Sequence, residues 1–132
     1  MNQEPRPTGD DPVSAVITAK ARILLGDTIA IGPGKADLLE AVAGTGSIAA
    51  AGRSLGFSYR RTRDMIDTLN ACWRVPLVAT VRGGSHGGGA QLTPAGRAVL
   101  EEYRKLDAAL ELTLCQHGAG LLRLIGPAGM AG

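Results

Sequence analysis

Residues 46–73 read GSIAAAGRSLGFSYRRTRDMIDTLNACW, and that stretch spells two helices with a tight turn between them. Ser47 is an N-cap residue type, and Ile48, Ala51 and Leu55 follow it at helical spacing. Gly56 stops this helix. Two residues on, Ser58 caps another, whose inner stripe is Thr62, Ile66, Leu69 and Trp73, with Met65 at its edge. Two short helices joined by a Gly-containing turn, the second starting on a capping Ser, form the helix-turn-helix pattern. Gly52, four residues before the turn glycine, suits a close helix crossing.

Working outward toward the N-terminus, Lys35 to Ala43 carries Leu38, Leu39 and Val42 on one face and is expected to end at Gly44. Gly32-Pro33-Gly34 breaks the preceding structure and puts Pro in a first helical turn. From Ala15 the pattern alternates, with Ile17, Ala19, Ala21 and Ile23 on one face and Thr18, Lys20 and Arg22 on the other, which reads as a half-buried strand. Gly26-Asp27 turns the chain, and Thr28–Ile31 returns as the second strand of a hairpin. Residues 1–13, with three Pro and two adjacent Asp, are read as a disordered tail.

Toward the C-terminus, past Pro76, Leu77, Ala79 and Val81 alternate with Val78, Thr80 and Arg82. The tract Gly83-Gly84-Ser85-His86-Gly87-Gly88-Gly89 leads into Ala90-Gln91-Leu92, so two strands flank a long glycine tip, a hairpin of the kind called a wing. Thr93-Pro94 then opens a helix that runs over about 93–116, with Glu101 and Glu102 early in it. Val99, Tyr103, Leu106, Leu110 and Leu114 repeat on it at steps of four, three, four and four. Such a narrow stripe is a packing seam, and a second copy of the chain is its expected occupant, with packing against its own domain as the alternative. Residues 14–117 therefore read as one domain, and residues 118–132 as a Gly- and Ala-rich tail containing either a short strand or a docking segment.

Charge is unevenly spread. Residues 53–97 hold seven Arg against two Asp, while the rest of the chain carries a net −3, for +2 in all. A basic middle in a near-neutral chain is the footprint of a polyanion partner. With 3% aromatic residues the core must be aliphatic. Cys72 and Cys115 provide no disulfide framework, and both read as buried thiols. The polar N-terminus is no signal peptide, and no run approaches the ~18 apolar residues of a membrane span. The chain is read as cytoplasmic.

Catalytic and metal chemistry find little support. Gly34-Lys35 does not complete a phosphate-binding loop, since Ile29 stands five residues before Gly34 and Ala36 follows the Lys. His86 and His117 with Cys72 and Cys115 lack metal-ligand spacing. No Ser-His-acid or Cys-His set is suggested. The expectation is no enzyme, no cofactor and no metal.

Helix geometry turns Thr62, Met65, Ile66 and Leu69 inward and leaves Arg60, Asp64 and Asp67 pointing out, flanked by Arg61, Arg63 and Thr68. In a major groove, Arg pairs bidentately with guanine and Asp accepts from cytosine N4. Ser58 and Tyr59, at the helix start, suit phosphates, and Ser47 is placed with them. Arg82, Gly84, His86 and Gly87 of the wing suit a backbone or minor groove. In the free protein, pairs Arg60–Asp64 and Arg63–Asp67 at i, i+4 are expected, each worth ~0.2–0.5 kcal/mol.

These residues carry a family resemblance. Leu38–Ala51 is similar to the start of LysR-type and ModE-type helix-turn-helix domains. Leu55-Gly56-Phe57-Ser58-Tyr59-Arg60-Arg61 resembles the start of the ModE recognition helix, and residues 83–93 resemble its glycine-rich wing, which LysR-type wings lack. The hairpin before the first helix also fits ModE, and the resemblance covers roughly residues 15–117. It implies a winged helix-turn-helix, mainly α with a small β component, that dimerises through its terminal helix and regulates genes of metal-oxyanion metabolism. ModE proteins continue into molybdate-binding Mop-type domains. Residues 118–132 are too few for one, so only the DNA-binding half carries over and molybdate binding is not expected. Arg63 stands where the family often has an aromatic residue.

The leading expectation is a homodimeric, sequence-specific regulator of transcription on double-stranded DNA, with no membrane partner. The alternatives are a protein-interaction module that pairs with a longer regulator and a nonspecific architectural DNA binder.

Overall fold

The computed structural model describes residues 14–81 and 89–127. These divide into a unit of Lys20–Ala108 and a smaller one whose described residues are 14–19 and 109–127. The tail expected at 1–13, residues 128–132 of the tail expected over 118–132, and residues 82–88 of the wing lie outside the described residues.

In the larger unit, β1 (Ile23–Leu25) and β2 (Thr28–Ile31) form an antiparallel hairpin turned at Gly26, whose φ of 64° favours glycine. The strand expected from Ala15 is shorter than its alternating pattern. β2 has four residues, so the backbone before Ile23 finds no strand to pair with and residues 14–22 take no regular form. Alternation supplies faces, but a strand exists only where a ladder pairs it.

Helix α1 (Pro33–Thr45) starts on Pro33 and buries Leu38, Leu39 and Val42 as expected. It runs past Gly44 and stops at Gly46 (φ 71°), whose N–H donates to the Val42 carbonyl. Helix α2 (Ile48–Ser54) is capped by Ser47 Oγ, which accepts from Ala50 N–H at 3.1 Å. Gly56 (φ 77°) turns the chain, and Phe57 N–H donates back to the Gly52 carbonyl at 2.9 Å. Helix α3 (Tyr59–Ala71) then begins on Ser58, whose Oγ accepts from Arg61 N–H at 3.1 Å. The α2–α3 crossing is close: a Cβ on Gly52 would overlap the side chain of Thr62, which is fully buried.

β3 (Val78–Val81) and β4 (Gly89–Leu92) pair antiparallel, Val78 opposite Leu92 and Val81 opposite Gly89. Ala90 N–H donates to the Gly46 carbonyl at 2.9 Å, fixing the wing root to the α1–α2 corner. Thr93 Oγ1 accepts from Gly96 N–H at 3.0 Å, starting α4 (Pro94–His117), and donates to the Pro76 carbonyl at 2.7 Å. The core gathers Ile31, Leu38, Leu39, Val42, Ile66, Leu69 and Leu77, with Tyr103 the one buried aromatic among the described residues. Trp73 lies just past α3, half-buried against that core, and its indole N–H donates to the Ala30 carbonyl at 3.3 Å.

In the smaller unit, Gly118 follows α4 with Ile17 against it, and α5 (Ala119–Leu124) comes next. Residues 119–124 are therefore helical rather than a strand. Leu121 and Leu124 are exposed. Cys72 is half-buried and Cys115 exposed, so the apolar neighbours of Cys115 in sequence do not enclose it on a helix surface.

Candidate nucleic-acid interface

The start of α3 presents a basic face because its opposite side is fully committed to the core. Thr62, Ile66 and Leu69 are buried and Met65 half-buried, its methyl close to Gly34. Helical periodicity then sends Tyr59, Arg60, Arg61, Asp64 and Asp67 to the exposed side, with Arg63 and Thr68 half-buried at its margins. Thr62 Oγ1 donates to the Ser58 carbonyl at 2.8 Å, so the buried hydroxyl is satisfied inside its own turn. Of the two expected ion pairs, only Arg63–Asp67 forms, at 3.8 Å, while Arg60 and Asp64 stay outside ion-pair distance of each other. Arg61 instead lays its guanidinium over the Phe57 ring, 4.3 Å from the centroid. Thr68 Oγ1 is turned onto the Asp64 carbonyl at 3.1 Å.

Ser47 and Ser58 both spend a side-chain lone pair on their caps. Each hydroxyl retains its proton as a donor, and Ser58 and Tyr59 stand exposed at the N-terminus of α3. The wing residues Arg82, Gly84, His86 and Gly87 lie outside the described residues.

Two contributors escaped the sequence reading. Lys35, in the first turn of α1, is close enough to Arg61 for their charges to interact. Its ammonium pKa is lowered first by burial, a shift opposed by Cys72 and reinforced by Arg61. Lys35 thus adds a half-buried cation on α1 that feels the Arg61 charge; Gly34-Lys35 signalled a cation there, weighed only against a phosphate loop. Asn70 is the second. Its Oδ1 accepts from Leu77 N–H at 3.0 Å and Val78 N–H at 2.9 Å, and its Nδ2 donates to the Val78 carbonyl at 3.0 Å. No local pattern points to it.

The residues expected on a dimer seam fall into different settings. In the larger unit Tyr103 is 3% exposed, and its hydroxyl donates to the Ala21 carbonyl at 2.8 Å. Val99 is half-buried against the same core, whereas Leu106 is 41% exposed. Leu106 borders an apolar cleft of about 460 Å³ lined also by Ile23, Ile31, Trp73 and Val99. In the smaller unit Leu110 and Leu114 are half-buried.

Residues 35–97, from α1 through the wing to the start of α4, match the family described as bacterial regulatory helix-turn-helix protein, lysR family. Over those residues the chain is similar to LysR-type helix-turn-helix domains. Its sequence is 40% identical over 84 residues to the molybdenum-pterin-binding protein MopA of Rhodobacter capsulatus, covering 64% of this chain and 32% of that protein. It is 43% identical over 77 residues to the molybdenum transport protein ModE of Azotobacter vinelandii, covering 58% of this chain and 28% of that protein. The chain thus spans about a third of the length of these curated relatives. Among solved structures, the chain resembles the CbnR DNA-binding domain in a crystal structure of its DNA complex. That match has a TM-score of 0.52 and 28% identity, and covers 67% of this chain and 95% of that one. The winged helix-turn-helix architecture and the long helix after the wing agree with the sequence reading. No described helix is long and apolar enough to cross a membrane.

Proposed function

We propose that this chain is a DNA-binding regulator of transcription that acts as a homodimer, reading the major groove with α3 and touching the flanking backbone or minor groove with the wing. The observation that carries it is the exposed face of α3. Arg60 and Arg61 project from the N-terminal turn of a helix whose other side is locked in the core, and neither is held by a carboxylate on α3. The structural neighbour is a domain solved on DNA, which supports DNA as the partner.

In this reading Arg60 and Arg63 meet guanine O6 and N7, and Asp64 and Asp67 accept from cytosine N4. Ser47, Ser58, Tyr59 and Arg61 hold phosphates, with Thr68 at the far margin of the face. Arg82, Gly84, His86 and Gly87 are assigned to the backbone or minor groove from sequence alone. Self-association is assigned to α4 through Leu106, Leu110 and Leu114, supported by the exposure of Leu106 beside an apolar cleft.

Selection from a pool of random duplexes at two salt concentrations tests the proposal. Enrichment of a pseudo-palindrome is the expected result, and its half-site spacing reports the dimer geometry. Salt-sensitive binding without an enriched motif would replace this reading with an architectural role. Absence of binding at either salt would replace it with a protein-interaction module.

A further inference from the structure

Asparagine is a poor interior helix residue because its amide competes for nearby backbone groups. Asn70 nevertheless sits in the last turn of α3, half-buried, one residue from the fully buried Leu69. Its amide does not serve its own helix. Oδ1 accepts from both Leu77 and Val78 N–H, and Nδ2 donates to Val78 C=O, all within 3.0 Å. Donating to and accepting from the same residue is what a neighbouring strand does in an antiparallel ladder. Among the described residues β3 pairs only with β4, so no described strand lies along its other side. The side chain of Asn70 thus takes the place of a third strand at the root of the wing.

We propose that Asn70 is a positioning residue that ties α3 to the wing, so that helix and wing meet a duplex as one rigid body. The inference rests on the DNA-binding reading above. Between Asn70 and Val78 the chain runs through Cys72–Pro76, which form neither helix nor strand. The covalent connection alone therefore leaves the wing root free to turn relative to α3. Leu77, Val78, Ala90 and Leu92 share the apolar core with Ile66 and Leu69 of α3, a contact without direction. The backbone bond of Ala90 N–H to the Gly46 carbonyl ties the wing root to the α1–α2 corner and not to α3. Two contact elements held at a fixed spacing bind with a higher effective concentration than two that move independently.

The test compares the full chain with Asn70→Ala and Asn70→Asp by hydroxyl-radical footprinting on the selected duplex. Asn70→Ala is expected to keep the central protection and selected motif read by α3 but lose protection of the flanking backbone. Affinity falls on the order of tenfold, and the salt slope falls by about 1 for each phosphate contact given up. Asn70→Asp keeps acceptor oxygens for the two N–H groups and lacks only the donor to Val78 C=O, so it shows the same split to a smaller extent. If Asn70→Ala does not fold, Asn70→Asp is judged by the same criterion. A footprint identical to wild type, or equal loss of central and flanking protection, overturns the proposal. Amide hydrogen exchange without DNA separates this from the reading it rests on. The Leu77 and Val78 amides should exchange faster in Asn70→Ala while those of α3 stay protected. If wild type protects no DNA, the DNA-binding reading fails and exchange alone decides the role of Asn70, unchanged Leu77 and Val78 rates overturning it.

Discussion

Helices α3 and α4 both carry arginine on their outer sides and spend it in opposite ways. On α3, Arg60 and Arg61 are exposed, Arg61 rests on an aromatic ring, and Arg63 reaches Asp67 only at 3.8 Å. On α4, Arg104 is gripped by three carboxylates, Asp37 at 2.9 Å, Glu40 at 3.3 Å and Asp107 at 3.4 Å. Its guanidinium pKa is raised above the ordinary arginine value, chiefly by the hydrogen bond to Asp37. Two of those carboxylates belong to α1, so Arg104 fastens α4 to the helix-turn-helix. The lesson concerns availability. A cation already held by several anions serves the fold, whereas one left in solvent keeps counterions that a polyanion can displace.

That contrast depends on α3 being rigidly seated, and the largest expected effect comes from unseating it. Gly52→Ala drives a Cβ into the Thr62 side chain at the α2–α3 crossing. Overpacking of this kind costs about 1–3 kcal/mol, measurable as a lower urea midpoint. Thr62→Ala in the same chain should recover part of the loss, because the overlap is with that side chain. No loss in the single variant would mean that the crossing is looser than described.

Paired substitutions on the two helices then give the contrast itself. Arg60→Ala should leave Tm unchanged and weaken binding to the selected duplex by about 1–3 kcal/mol, the value of a bidentate base contact. Arg104→Ala should do the reverse. Its guanidinium is 34% exposed and two of its partners are more so, so screening limits the loss of stability to about 1 kcal/mol. Thermal denaturation in low and high salt would show that loss shrinking as salt rises. Equal effects of both substitutions on both measurements would remove the distinction.

The helix-turn-helix was legible because its signals are local. Ser47 and Ser58 cap where their residue type suggests, and the stripe Thr62, Ile66, Leu69 follows from spacing alone. The errors came where a local signal needed a distant partner. The alternation before Ile23 lacked a strand to pair with, and Gly44 stays inside α1 because Gly46 supplies the left-handed residue that ends it. On the candidate site, the exposed side of α3 follows from periodicity, whereas Arg104 and Asn70 do not. Arg104 finds Asp37 and Glu40 more than sixty residues away, and Asn70 reaches across a turn to backbone groups that carry no residue signature. The unformed Arg60–Asp64 pair makes the converse point, since i, i+4 spacing permits contact without compelling it.

The smallest effect lies one position before Arg104, on the inner side of the same helix. Tyr103 is buried with its hydroxyl on the Ala21 carbonyl, and burial, reinforced by the nearby Asp107 charge, raises its pKa above the ordinary value of 10.0. A raised folded-state pKa means that the neutral phenol is favoured in the folded protein. Its contribution to stability is complete below pH 10 and is lost as pH rises through the folded value. Tyr103→Phe removes both the titration and the hydrogen bond. Near neutral pH the variant should be less stable by about 1 kcal/mol, the net worth of a hydrogen bond whose acceptor is left unpaired. Above about pH 10, ionisation penalises only the wild type, so the difference in urea midpoint should narrow. Every other ionisable group is common to the two proteins and cancels in the difference. A gap that stays constant across that range would mean Tyr103 ionises as freely folded as unfolded, and α4 would then be held to the domain by Arg104 rather than by a buried ring.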